Sequence, residues 1–347
     1  MALRFFDGFD TKTPHVGYGK WIQAVNISSS EYFTPGRSGQ GYYYRFRYGG
    51  LFGNAYFVYQ TNSPSNEWIV GFAAYHGSLD NTLYCDFLNF YTGSQLELYF
   101  RFDYPNISVY RGDGTLLGRI TGILLPARWF YLEIGVKIDN TSGYVTVKVD
   151  GSVKLNLTNQ DTAVSSSPNV DIIRFGVVNN PGQSPQNYFL CDDFYLLDKT
   201  GTEFNDFLGD VVVYTLVPNA DGSTNDWTPN SGTTRYTQVD EIPHDSDTTY
   251  IYTTVDGAKQ YFDFPDQANI TILAVQNTAV ARKDDSTTRY IKMCAKLGAN
   301  EVVTNSWVLS NSYLHFTQVL PRDPANNQWS LSNFNSTQFG LIHSLTP

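Results

Sequence analysis

The stretch from Trp129 to Leu157 leaves little freedom in what this chain can fold into. Leu132, Ile134, Val136 and Ile138 alternate with Glu133, Lys137 and Asp139. After Asn140-Thr141-Ser142-Gly143, Val145, Val147 and Val149 alternate with Thr146, Lys148 and Asp150. Residues two apart share one side of an extended chain, so this period excludes a helix and gives each strand one apolar and one wet face. Asp150-Gly151 then marks a tight hairpin, because both central positions of a type I′ turn need a positive φ. Val153, Leu155 and Leu157 resume the inner face. The segment predicts a three-stranded antiparallel meander.

Similar strands are read at Tyr42–Tyr48, Ala55–Gln60, Trp68–His76, Leu83–Tyr91, Gln95–Asp103, Ile107–Arg111, Val170–Val178 and Tyr188–Asp198. Strands at this spacing without crossover helices predict an antiparallel β-sandwich. The pattern breaks near residues 199–210, which divides the chain into an expected 1–203 sandwich and a smaller 204–347 β-sandwich domain. Strands of the second region are expected at Val211–Val217, Tyr250–Val255, Ile270–Ala274, Tyr290–Ala295 and Tyr313–Val319. Pro218–Gly232 reads as a long polar loop, and Leu331–Gln338 as one short helix. The fold class expected is all-β.

Composition narrows the function. The 347 residues hold 23 Lys and Arg against 33 Asp and Glu, a net charge of −10, and only 16% are charged. An acidic chain lacks the cations that displace phosphate counterions, which argues against nucleic acid. No apolar run approaches the roughly 20 residues that span a bilayer. MALRFFDGFD does not read as a secretory signal, since Asp7 and Asp10 interrupt it. Cys85, Cys191 and Cys294 lie too far apart for a zinc motif or disulfide framework and read as buried thiols. Few charges and 25 Tyr suit a surface covered by neighbours, so a homo-oligomer is expected, with a trimer favoured.

Ala127–Val153, ARWFYLEIGVKIDNTSGYVTVKVDGSV, resembles the core of the concanavalin A-like (laminin G-like) lectin/glucanase superfamily. Cys191–Asp198, Phe5–Asp10 and Gly36–Tyr44 resemble the last and first strands of that jelly roll. The order of these pieces, with Phe207–Gly222, Ile272–Asp285 and Asp323–Gly340 following, is similar to that of bacteriophage virion proteins. The resemblance implies a lectin-like fold in a virion context, assembled in a host cytoplasm.

Chemistry-bearing patterns are sparse. Glucanases of this fold carry Glu-x-Asp-x-x-Glu on one strand, which is absent here. Glu97 with Asp103 is too widely spaced and Asp192 with Asp193 points to opposite faces, so both pairs read as solvated strand edges. The histidines His15, His76, His244, His315 and His343 sit in no local motif with Ser or Cys. No cofactor is expected apart from calcium, for which Asp221 and Asn225 in a polar loop, and Asp192, offer oxygens. Trp68, Trp227, Trp307 and Trp329 are candidate sugar platforms, with Trp68 and Trp227 foremost. In Tyr42-Tyr43-Tyr44, either Tyr43 or its two neighbours must face away from the core. The reading favours a non-enzymatic virion structural protein, in capsid decoration or a tail component, with other virion proteins as partners. A carbohydrate-binding adhesin for host surface glycans is the alternative, and a glycan-degrading enzyme is the third reading.

Overall fold

A computed structural model describes residues 2–13, 16–47, 53–76, 83–125, 127–180 and 188–347; His15 and Tyr48 fall outside them. The chain forms two compact units, one of Met1–Val16 with Trp21–Tyr214 and the other of Gly17–Lys20 with Thr215–Pro347. Among the described residues, no helix is long and apolar enough to cross a membrane.

The first unit is an antiparallel sandwich of two sheets. An eight-stranded sheet runs Ser152–Gln160, Gly143–Val149, Trp129–Lys137, Glu67–His76, Tyr188–Asp198, Tyr43–Arg47, Tyr32–Phe33, with Leu3–Asp7 also on Tyr188–Asp198. A seven-stranded sheet runs Leu116–Ile120, Asn106–Arg111, Gln95–Asp103, Tyr84–Thr92, Val170–Asn179, Ala55–Ser65, Gln23–Val25. The meander forms in the expected register, with Leu132 opposite Val149 and Ile134 opposite Val147. Asp150 and Gly151 have φ of 48° and 73°, as the tight turn requires. Between the sheets lies an aromatic core in which Phe46, Phe72, Phe87, Phe175 and Phe189 meet edge to face. Each such ring, buried from water, contributes about 1.5–3 kcal/mol. The three cysteines are buried and free.

The second unit carries a six-stranded, a three-stranded and a two-stranded sheet. Ile291 and Met293 of the first pack with Phe316 of the second around Trp227. Ala220–Asn225, expected as loop, is a strand on Lys259–Asp263, because Gly222 admits the Tyr261 backbone where a Cβ would sit 2.7 Å from it. The expected helix is shortened to Leu331–Asn335, started by Ser330 Oγ accepting the Asn333 N–H. Its expected last turn instead begins the strand Thr337–Ser344. Tyr250–Val255 pairs only over Ile251–Tyr252. Val211–Val217 and Ile270–Ala274 are not ladder strands at all, although their alternation predicts strands.

Candidate functional site: an outward row of Tyr, Asn and Arg

Strand alternation in the seven-stranded sheet sends Phe57, Leu88, Phe100 and Phe175 inward, where all are buried. It therefore sends the alternate residues outward. Register aligns these into a single row, because directly opposed residues share a face. Tyr110 lies opposite Tyr99, Tyr99 opposite Asn89, and Asn89 opposite Arg174. Arg174 lies opposite Val58, and Val58 opposite Gln23. With adjacent strands about 4.8 Å apart, the row crosses six strands in about 24 Å.

Two guanidinium groups organise this face, in opposite ways. Arg101 lies within 5.3 Å of the Tyr84, Tyr99 and Tyr110 rings. It donates to Asp86 at 2.5 Å and to the Tyr84 hydroxyl at 2.9 Å, while Asn179 donates to the other Asp86 oxygen. Its charge is thereby matched. Arg174 packs over Tyr91 at 4.5 Å and Tyr56 at 5.6 Å. It donates to the Tyr91 hydroxyl at 3.3 Å, yet it has no carboxylate partner among the described residues, and its buried Nε has no acceptor.

Asn89 stands beside it, 3% exposed. Its Nδ2 donates to the same Tyr91 hydroxyl at 3.4 Å, and its Oδ1 has no donor. A buried polar atom without a partner costs about 1–3 kcal/mol, and here an unmatched donor and an unmatched acceptor lie on adjacent strands. Tyr99 and Tyr110 stack at 5.0 Å at the end of the row.

The residues singled out from sequence do other work. Trp68 is 0% exposed and donates its indole N–H to Ser65 O, so it is no sugar platform. Trp227 and Trp329 are buried and bond Ala258 O and Leu320 O, and Trp307 packs on the second unit's core. Glu97 and Asp103 are not solvated edges. Fully buried Glu97 accepts the Val164 and Ser165 N–H groups, and Asp103 pairs with Arg119. Asp192 and Asp193 are buried too. Asp192 accepts the Arg37 and Asp193 N–H groups, and burial with the neighbouring Asp193 charge pushes its carboxyl up to about 8.

Asp221 accepts from Arg235 and Tyr236 N–H, and Asn225 bonds Gly222 O and Gln260. No group of three metal-holding side chains occurs among the described residues. His76 stacks on Tyr104 at 5.0 Å, His244 and His315 meet ring to ring at 5.8 Å, and His343 accepts from Arg289. Tyr43 is the outward tyrosine of its triplet, against Phe33 and Trp129, while Tyr44 is buried.

A cavity of about 420 Å³ on the eight-stranded sheet is lined by Tyr144, Thr146, Asn156, Lys199 and Phe207. Several of its polar groups are already paired: Tyr144 donates to Glu67, Thr146 to Asn156 and Lys199 to Tyr144.

No family model matches the chain, and no curated protein is similar to it. Similar solved structures are endo-β-1,4-glucuronan lyase from the fungus Trichoderma reesei, a cellulose-induced protein and an alginate lyase from Chlorella virus. The first is 12% identical over 56% of this chain and 95% of its own, with a TM-score of 0.40. The second is 15% identical over 55% and 96%, with a TM-score of 0.42. The third is 12% identical over 48% and 89%, with a TM-score of 0.38. The jelly-roll β-sandwich stands. The expectations of a virion structural role and of no enzymatic activity are corrected by these findings, since the similar structures are mostly polysaccharide lyases.

Proposed function

We propose that the outer face of the seven-stranded sheet binds an acidic polysaccharide. The observation that carries this is the Arg174–Asn89 pair, a guanidinium without a counter-ion beside an amide oxygen without a donor. A uronate residue supplies both partners: its carboxylate accepts from Nε and its hydroxyl donates to Oδ1. Tyr110, half-buried and stacked on the buried Tyr99, borders the row where a neighbouring sugar would lie. The net charge of −10 disfavours densely charged polyanions at long range. Charges further apart than about 8 Å are largely screened at physiological salt, so a chain with one carboxylate per sugar is the better fit.

Calorimetric titration with oligoglucuronate, oligoalginate and neutral cello-oligosaccharides tests the reading. Binding of an acidic oligomer but not the neutral ones, weakened at least tenfold by Arg174→Met, is the expected result. Equal binding of neutral oligomers, or an unaffected variant, contradicts it.

Tyr91 favours a second reading, cleavage by β-elimination. Its hydroxyl oxygen receives N–H groups from both Arg174 and Asn89, which places it beside the guanidinium proposed to hold the carboxylate. Arg174 would neutralise the carboxylate while Tyr91 takes the proton from the carbon bearing it. Those electrons form the new carbon–carbon double bond as the bond to the leaving glycosidic oxygen breaks, and that oxygen takes up the proton that Tyr91 has gained. Ultraviolet absorbance from unsaturated uronate ends, lost in Tyr91→Phe with binding retained, is the expected signature; binding with no such product restricts the face to recognition.

A further inference from the structure

The strands of the seven-stranded sheet carry four Lys or Arg residues: Arg101, Arg111, Arg119 and Arg174. Three of them already hold carboxylates of the chain. Arg101 pairs with Asp86 through side chains only 12% and 6% exposed, and Asn179 holds the other Asp86 oxygen. Arg119 pairs with Asp103 at 2.7 Å. Arg111 lies between Asp113 and Asp161, which makes that group net negative. Arg174 has the Tyr91 and Tyr56 rings where the other three have aspartates.

A second carboxylate on the same ligand therefore meets no comparable partner. To reach Arg101 it must displace Asp86, and breaking a buried pair leaves the displaced charge uncompensated. Along the row that contains Arg174, the other members Tyr110, Tyr99, Asn89, Val58 and Gln23 are all uncharged. Glu97 and Asp171, on strands of the same sheet, add negative charge. Residues 48–52, 77–82 and 181–187, which fall outside the described residues, contain no Lys or Arg.

We infer that this face reads one uronate at a time, so that a neutral glycan chain bearing isolated uronates is as good a ligand as a homopolyuronate of the same length. The inference rests on the binding role proposed for Arg174 and narrows it. Amides and hydroxyls at the uncharged positions pair with the hydroxyls of neutral sugars. Additional carboxylates lie in screened, net-negative surroundings and contribute little.

Calorimetric titration with a xylo-oligosaccharide bearing a single glucuronate, and with an oligoglucuronate of equal length, tests this. The two are expected to bind within about fivefold of each other, the most that an exposed additional ion pair contributes. For both, log affinity is expected to fall with log salt at a slope of about −1 or shallower, since one charge releases one counter-ion. Arg174→Met is expected to weaken both alike, at least tenfold. A larger preference for oligoglucuronate, or a slope for it near −2 or steeper, overturns the inference while Arg174→Met still weakens binding. Affinities that Arg174→Met leaves unchanged overturn both the inference and the reading on which it rests.

Discussion

The two outer faces of the first unit carry similar residues and are treated oppositely by the chain. On the eight-stranded sheet, the outward Glu133, Tyr131 and Tyr195 are buried beneath the chain's own 204–213 segment. Glu133 accepts the Gly209 N–H and the Tyr195 hydroxyl, and the Phe207 ring occupies the space above Gly135 where a Cβ would sit. Val213 N–H reaches Asp193. On the seven-stranded sheet, Asn89 Oδ1 and Arg174 Nε are buried under neighbouring side chains such as Tyr91 and Tyr56, yet have no hydrogen-bond partner among the described residues. The difference is that polar groups on the covered face are satisfied from within, whereas these two are left for the proposed ligand to complete.

The contrast breaks if substitutions on the two faces have the same consequence. Glu133→Ala leaves two buried donors unmatched and is expected to cost about 3 kcal/mol of stability, with glycan affinity unchanged; chemical denaturation and titration read the two. Arg174→Met reverses the pattern. Losing a hydrogen bond to a charged group, about 1.5–3 kcal/mol, weakens acidic-glycan binding roughly ten- to hundredfold, while the melting temperature holds. Asn89→Leu removes the unmatched acceptor and is expected to raise stability by up to about 1 kcal/mol while weakening binding several-fold. A decrease in stability there would mean Asn89 is structural.

A pH dependence is also expected on the covered side. Burial and the Asp193 charge raise the Asp192 carboxyl to about 8, above its unfolded value, so the folded state holds the proton more tightly. Its contribution is fully present below about pH 4 and is lost as pH rises through about 8. Melting temperature should fall across that window, and Asp192→Asn should flatten the fall; an unchanged slope contradicts the assignment.

Alternation made the meander legible from Trp129 to Leu157, because each strand there has one apolar and one polar side. The same alternation marks Asn89, Tyr99, Arg101 and Arg174 as outward residues opposite phenylalanines. What it lacks is register. Arg174 and Asn89 are 85 positions apart and become neighbours only when Val170–Asn179 pairs with Tyr84–Thr92. Trp68 misleads for a related reason: an aromatic at a strand start carries no mark of which face it takes, and here it faces inward. At Val211–Val217 and Ile270–Ala274, alternation gives the extended conformation but not the partner.

The central claim is that Arg174 awaits a sugar carboxylate. Titrating the protein with one polysaccharide in two forms, native alginate and the same material with its carboxyl groups reduced to alcohols, tests it most directly. The native form is expected to bind and the reduced form not, with Arg174→Met abolishing the difference. Equal affinity for the two forms would contradict it.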